Sequence, residues 1–168
     1  MNSNQKGANF ERFVCRRLSL WISHGARDDL FWRSAMSGGR ATLGLKQGRT
    51  RVAQTGDVTA IDPLGARFTN LFIVECKHIR DLRFDLLVSR RGGPVVPIWN
   101  KLINDCRAFK RSPFLVLQQN RTPILIATDR RGRSILGVHA ENATIALPWN
   151  MVILDFKFVL SRPSPQLQ

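Results

Sequence analysis

Two short segments constrain this chain more than any others: Gly56-Asp57-Val58-Thr59-Ala60-Ile61-Asp62 and Leu71-Phe72-Ile73-Val74-Glu75-Cys76-Lys77. Both read as β-strands, with the turn-forming run Asp62-Pro63-Leu64-Gly65 between them. In a strand, successive side chains point to opposite faces. Phe72, Val74 and Cys76 therefore share one side, and Ile73, Glu75 and Lys77 the other. A carboxylate and an ammonium project together from an apolar strand. Pairing the two segments as a hairpin brings Asp57, near the start of one, level with Glu75, near the end of the other. Two carboxylates and one lysine then meet at a sheet end. Hard oxygen ligands of this kind hold a divalent cation, and the lysine steadies a nucleophilic water or the charge developing on a phosphorane. The plainer alternative is an exposed Glu75/Lys77 ion pair at a strand terminus, which contributes little energy. Acid-x-Lys spacing alone does not decide between them.

The charge balance points the same way. Lys and Arg number 26 against 12 Asp and Glu, a net charge of +14, which draws in a polyanion. Nucleic acid is the leading partner. A membrane surface is the rival, but the basic residues are spread along the chain and no long apolar run offers a span. At 168 residues and 43% hydrophobic, the chain fits one globular domain with a real core. The N-terminal Met1-Asn2-Ser3-Asn4-Gln5-Lys6-Gly7 lacks the apolar stretch of a secretory signal, so a cytoplasmic site of action is expected. Cys15, Cys76 and Cys106 lie far apart and fit neither a disulfide framework nor a zinc knuckle. They read as small buried or half-buried thiols in a reducing compartment.

Along the chain, Gly7 to about Ser23 reads as a helix with Phe10, Phe13, Val14, Leu18 and Trp21 on its inward face. Glu11 falls on the flank of that stripe, where a carboxylate needs a partner, an arginine being the plain choice. Leu30 to Met36 has strand character. The segment from Ser37 to Gly56 carries Arg40, Lys46, Arg49 and Arg51 among glycines and no acid, and reads as a mobile basic loop at about 38–56, suited to a phosphate backbone. Residues 78–97 read as a connector. Ile98 to about Lys110 repeats helical spacing through Trp99, Leu102, Ile103, Cys106 and Phe109. Phe114 to Gln119 and Pro123 to Asp129 form a strand hairpin, Ser134–Val138 and Met151–Phe158 further strands or edge pieces, and residues 161–168 a frayed tail. The order of helix, three strands, helix and strands predicts an α/β or α+β layered domain with a mixed sheet.

Taken together, Lys6-Gly7-x-x-x-Glu11 opening a helix, Arg33-Ser34-x-x-Ser37-Gly38-Gly39, Gly56-Asp57-Val58 and Val74-Glu75-Cys76-Lys77 resemble the PD-(D/E)XK nuclease superfamily. Within it, the arrangement is most similar to Holliday-junction resolvases of the archaeal type and related phage enzymes, over about residues 6 to 119. The resemblance implies a restriction-endonuclease-like core: a helix, three antiparallel strands, a helix and a further strand in a central mixed sheet flanked by helices. It implies Asp57 and Glu75 as Mg²⁺ or Mn²⁺ ligands, with the Cys76 carbonyl as a third, and Lys77 as the catalytic lysine. Glu11 becomes a direct or water-bridged metal contact. Either Ser34 or Ser37 matches the serine that some resolvases carry before the basic loop, and Gln119 is an accessory polar group. A homodimer acting on branched DNA follows from the same resemblance. Gly56 stands where many members carry proline, and the basic loop and the sequence beyond Gln119 exceed the minimal resolvase pattern.

Other readings explain less. His24, His78 and His139 are too scattered for a histidine-metal nuclease; His78, beside Lys77, is placed to touch substrate or simply to stand exposed. A carboxylate-only site drawn from Asp57, Asp62, Glu75 and Asp129 leaves Lys77 without a role, and Asp62 belongs to the turn before Pro63. A non-catalytic DNA-binding protein would use the charge together with Trp32 and Trp99 for stacking, but has no need of acidic residues among its cations. The expectation is therefore a Mg²⁺-dependent endonuclease acting on branched or structured DNA in recombination, replication or phage DNA processing, with an exonuclease of the same superfamily as the alternative. The DNA-contacting set is Arg33, Arg40, Lys46, Arg49 and Arg51.

Overall fold

The computed structural model describes residues 3–34, 55–89, 92–139, 145–147 and 149–165. Helix α1 (Ser3–Ile22) opens the chain and is followed by strands β1 (Phe31–Arg33) and β2 (Val58–Ala60), helix α2 (Pro63–Leu71) and strand β3 (Phe72–His78). A short helix α3 (Phe84–Val88) lies in the stretch read as a connector, before the long helix α4 (Val95–Phe109) and strands β4 (Ser112–Gln118) and β5 (Leu125–Thr128). Helix α5 (Arg130–Ile135), strands β6 (Ile145–Leu147) and β7 (Met151–Asp155) and helix α6 (Phe156–Ser161) complete the order.

A five-stranded sheet, in the order β3-β4-β5-β7-β6, forms the centre. β3 pairs parallel to β4 and the remaining pairs are antiparallel, so the sheet is mixed. A parallel pair needs a crossover, and α3 and α4 supply it. Both faces of the sheet are covered. On one, Phe72, Val74 and Cys76 of β3 pack under Phe10, Val14 and Leu18 of α1 and Phe68 of α2. On the other, Ile73, Leu115 and Leu117 pack under Trp99, Leu102 and Cys106 of α4. Strand alternation thus divides the apolar residues between two cores, the three-layer arrangement of a restriction-endonuclease-like core.

Several expectations are corrected. Gly56–Asp62 and Leu71–Lys77 are not a hairpin: β2 pairs antiparallel with β1, and α2 intervenes before β3. The three antiparallel strands are accordingly one antiparallel pair beside the edge of the main sheet. Asp62 is not a turn residue but the N-cap of α2, its Oδ1 accepting from Leu64 N–H at 2.9 Å, with Pro63 in the first helical turn. Proline there loses no hydrogen bond, because the first helical N–H groups lack partners in any case. Ser134–Val138 is not a strand. Asp129 caps α5 by accepting from Gly132 N–H at 2.6 Å, and the chain turns after Ile135. In Met151–Phe158 only the first five residues are strand, since Asp155 caps α6. Phe13, expected inward, is 44% exposed, and Trp99 is not available for stacking: it is fully buried and donates to the Trp149 carbonyl at 3.1 Å.

Beyond the sheet, the Trp21 indole donates to the Arg162 carbonyl at 2.8 Å and an Arg162 guanidinium N–H to the Gly137 carbonyl at 2.9 Å, which ties the chain after α6 to the α1 layer. The Ser19 hydroxyl donates to the Cys15 carbonyl and accepts from Leu30 N–H at 3.0 Å, fixing where β1 leaves α1. The three cysteines are free and buried, as their spacing implied. No helix among the described residues is long and apolar enough to cross a membrane.

Candidate active site

β3 lies at the edge of its sheet, so one row of its backbone groups has no neighbouring strand in that sheet. Asp57 fills the gap. Its N–H donates to the Val74 carbonyl at 2.8 Å, and its Oδ2 accepts from Cys76 N–H at 2.8 Å. An extended residue sends its N–H and C=O toward the same edge, so the Cys76 carbonyl lies on the Asp57 side of the strand. Gly56 makes the close approach possible. Its φ is +89°, and a Cβ there would collide with the Val74 carbonyl oxygen. Proline, with φ near −65°, has no access to this conformation. The glycine that departs from the superfamily's common proline is thus required by the local backbone.

Glu75 and Lys77 share the opposite face from Cys76, as alternation along β3 predicts. Lys77 Nζ stands 2.5 Å from Glu75 Oε1 and 3.6 Å from Asp57 Oδ2. Side-chain exposure rises from 6% at Asp57 through 19% at Glu75 to 35% at Lys77, so the cluster opens to solvent on the lysine side. Burial, then the Glu75 charge, push the Asp57 carboxyl up to about 6, against the pull of the Lys77 ammonium and the Cys76 N–H. For Lys77, burial acts to lower the pKa, but Asp57 and Glu75 outweigh it and hold the ammonium above its ordinary value. Two carboxylates share one ammonium. The cluster is left with a negative charge that its own lysine does not offset.

Glu11 reaches the site from α1. Its Oε2 accepts from Arg33 Nε at 2.9 Å, so the carboxylate has the arginine partner its position demanded, and its charge still adds to the upward push on Asp57. Arg33 is thereby tied to the acidic cluster rather than free for DNA alone. Ser34 follows; its N–H donates to the Asp57 carbonyl at 2.8 Å, and its buried hydroxyl has no hydrogen-bond partner. Of the two candidate serines, Ser34 therefore stands beside Asp57, whereas Ser37, Arg40, Lys46, Arg49 and Arg51 lie outside the described residues. The Gln119 side-chain oxygen accepts from Leu82 N–H at 2.7 Å, which fastens the segment after β3 to the end of β4. His78 Nε2 lies 2.8 Å from Asn120 Oδ1.

Two neighbours were missed from sequence. Asp105 on α4 is pushed up by burial and, to a lesser degree, by Glu75, against Lys101 one turn earlier. Arg111 donates to the Thr55 hydroxyl at 3.3 Å, reaching the segment that leads into Gly56 and Asp57. Their only sequence signal was position on and just after the helix that covers the Glu75 face.

Residues 2–155 match the family described as "Phage putative PDDEXK endonuclease". The chain belongs to that family. The match spans α1 to the end of β7, and so includes Glu11, Asp57, Glu75 and Lys77 together. The protein is accordingly a nuclease of the PD-(D/E)XK superfamily. No curated protein and no solved structure matches the chain at a significant level.

Proposed function

We propose that the chain is a divalent-metal-dependent DNA endonuclease that hydrolyses phosphodiester bonds in branched or structured DNA, with Asp57, Glu75 and Lys77 as its active centre. The observation that carries this reading is the Lys77 amine, shared by two carboxylates at the solvent-open edge of β3. Structural ion pairs are usually balanced, whereas this cluster is under-neutralised and partly desolvated, as functional sites often are.

The donor set fits Mg²⁺ or Mn²⁺. Among the described residues no three His, Cys, Asp or Glu side chains form a ready-made cage. A Mg²⁺ site needs none, since it uses one or two carboxylates and keeps several waters. Asp57 and Glu75 would hold the ion, with the Cys76 carbonyl as a further oxygen. When bound, it supplies Lewis-acid polarisation of a phosphoryl oxygen and a lowered pKa for water.

The protein's own residues perform the rest. Asp57, fixed by the Cys76 N–H, and Glu75, on the same edge strand, hold their oxygens in a set relation at the place where the ion would sit. Water attack forms one P–O bond while the bond to the leaving oxygen breaks in line with it; the attacking water gives its proton to bulk water, and the leaving oxygen takes one from bulk water. Lys77, held protonated, donates to the attacking water or to the non-bridging oxygens and offsets the charge that builds on them. Arg33, oriented by Glu11, adds a second cation. Arg40, Lys46, Arg49 and Arg51 track the phosphate backbone. A homodimer, placing two such centres on one branch point, completes the proposal.

The test is a cleavage assay with Mg²⁺ over four-way junction, fork, linear duplex and single-stranded DNA. Paired nicks at the junction are the expected result. Progressive shortening from ends would instead assign an exonuclease.

A further inference from the structure

A second concavity lies on the other face of the β3 terminus. Lys6, Asn9, Phe10 and Phe13 of α1 form one wall, with His78 at the end of β3 and Gln118 at the end of β4 opposite, around a volume of about 320 Å³. That is the lower end of the roughly 300–1,000 Å³ range of small-ligand sites. The walls are aromatic. Phe10 and Phe13 lie nearly parallel, with centroids 6.4 Å apart and 12° between their planes. His78 stands edge-on to Phe10 at 5.7 Å. Phe13 is 44% exposed although Phe10 and Phe156 approach it from the core, each with ring centroids 6.4 Å away. The rim is polar. Asn9 Oδ1 accepts from Arg12 Nη1 at 2.9 Å, so its amide nitrogen remains a donor. Gln118 carries both a donor and an acceptor, and Lys6 adds a positive charge.

We propose that this cleft receives one unpaired nucleobase of the DNA substrate, stacked on Phe13, with Asn9, His78 and Gln118 at its polar edge and Lys6 on the adjoining phosphate. The inference rests on the nuclease reading of the neighbouring carboxylate cluster and names what makes a DNA a substrate for it. A flat heteroaromatic ring with hydrogen-bonding edges and an anionic linker matches an aromatic cleft with a polar rim and a cation, on a chain of net charge +14. A base inside a duplex is stacked on both sides and has no face to offer, so only an unpaired or extruded base enters. The location fits one strand of DNA. His78 follows Lys77 on β3 with its side chain on the opposite face, and α1 serves both sites, sending Glu11 to Arg33 and Phe10 and Phe13 to the cleft. The phosphate beside Lys77 and the base in the cleft then belong to one strand that passes around the end of β3.

The experiment is a binding titration in EDTA, where no cleavage occurs, of forked DNA, of the same fork carrying a single abasic nucleotide at successive positions of its unpaired arm, and of plain duplex. One abasic position should weaken the fork by about tenfold, the scale of one base–aromatic stack. Phe13→Ala should collapse the preference for fork over duplex by a similar factor, with Phe13→Trp preserving it. Combining Phe13→Ala with the sensitive abasic position should produce no further loss. Additive losses, or no sensitive position, would overturn the proposal. Competition by free deoxynucleoside monophosphates as effective as that of the fork would also overturn it, in favour of a mononucleotide site. Absence of Mg²⁺-dependent cleavage would refute the nuclease mechanism while leaving the outcome of these titrations intact.

Discussion

The Asp57 carboxylate accepts its hydrogen bond from the backbone N–H of Cys76, 2.8 Å away, so one proposed ligand is fastened to the strand that carries the other. Asp57 and Glu75 thus keep a fixed relation although a helix separates them in the chain, and disturbing the contact should disturb both fold and chemistry.

Gly56 is the first place to disturb it. With φ at +89° and the Val74 carbonyl where a Cβ would go, Gly56→Ala must displace either β3 or Asp57. We expect a loss of at least about 1–3 kcal/mol, the usual strain at such positions, measured by urea unfolding, together with loss of cleavage. Unchanged stability would mean that the Asp57–β3 contact is looser than the geometry implies.

Asp57 also links pH to stability. Its folded pKa of about 6 lies above the ordinary 3.8. Between those values the folded state binds more protons than the unfolded state, so Asp57 lowers stability as pH rises from about 4 to 6, and the loss persists above. In metal-free protein, Asp57→Asn should therefore raise stability by about 1–3 kcal/mol at pH 8 and by little at pH 4. Added Mg²⁺ should raise the melting temperature of the wild type at pH 8 and leave the variant unmoved. Thermal scans at the two pH values provide the check, and a variant less stable at pH 8 would contradict the assignment.

Legibility varied with the kind of signal. α1 and α4 were plain from their apolar spacing, and β4 and β5 from two apolar runs joined by a short polar loop. The link between Asp57 and Glu75 was not, because Asp-Pro opens a turn and caps a helix with equal ease. Alternation along β3 separated Glu75 and Lys77 from Cys76 correctly. Asp57 joins them by a different route from the expected hairpin, capping an unpaired sheet edge, and that depends on a positive φ at Gly56 that no periodicity reveals. Asp105 and Arg111 were invisible for a simpler reason: their relation to the site exists only once α4 lies across the sheet.

Arg33 should tune the site through Glu11. Removing its guanidinium leaves the Glu11 charge unscreened beside Asp57, which already feels it. In Arg33→Ala the acid limb of the kcat/KM profile should move to higher pH, by up to about one unit. A pH–rate profile that drops in height without moving would show that Arg33 contributes only a phosphate contact.

Arg40, Lys46, Arg49 and Arg51 should govern affinity rather than chemistry. Replacing all four with alanine should weaken DNA binding and reduce the slope of log K against log salt by about 0.9 for each phosphate the chain no longer neutralises. Titrations at several salt concentrations measure that slope, and an unaltered slope would remove the segment from the interface.

The most direct measurement compares Asp57→Ala and Glu75→Ala with the wild type, scoring Mg²⁺-dependent cleavage of a four-way junction and metal-free binding of the same DNA. Each variant should cut at least about a hundredfold more slowly while binding as tightly or more tightly, a negative charge having left the DNA-facing surface. Wild-type cleavage by either purified variant would contradict an active centre built on these two carboxylates.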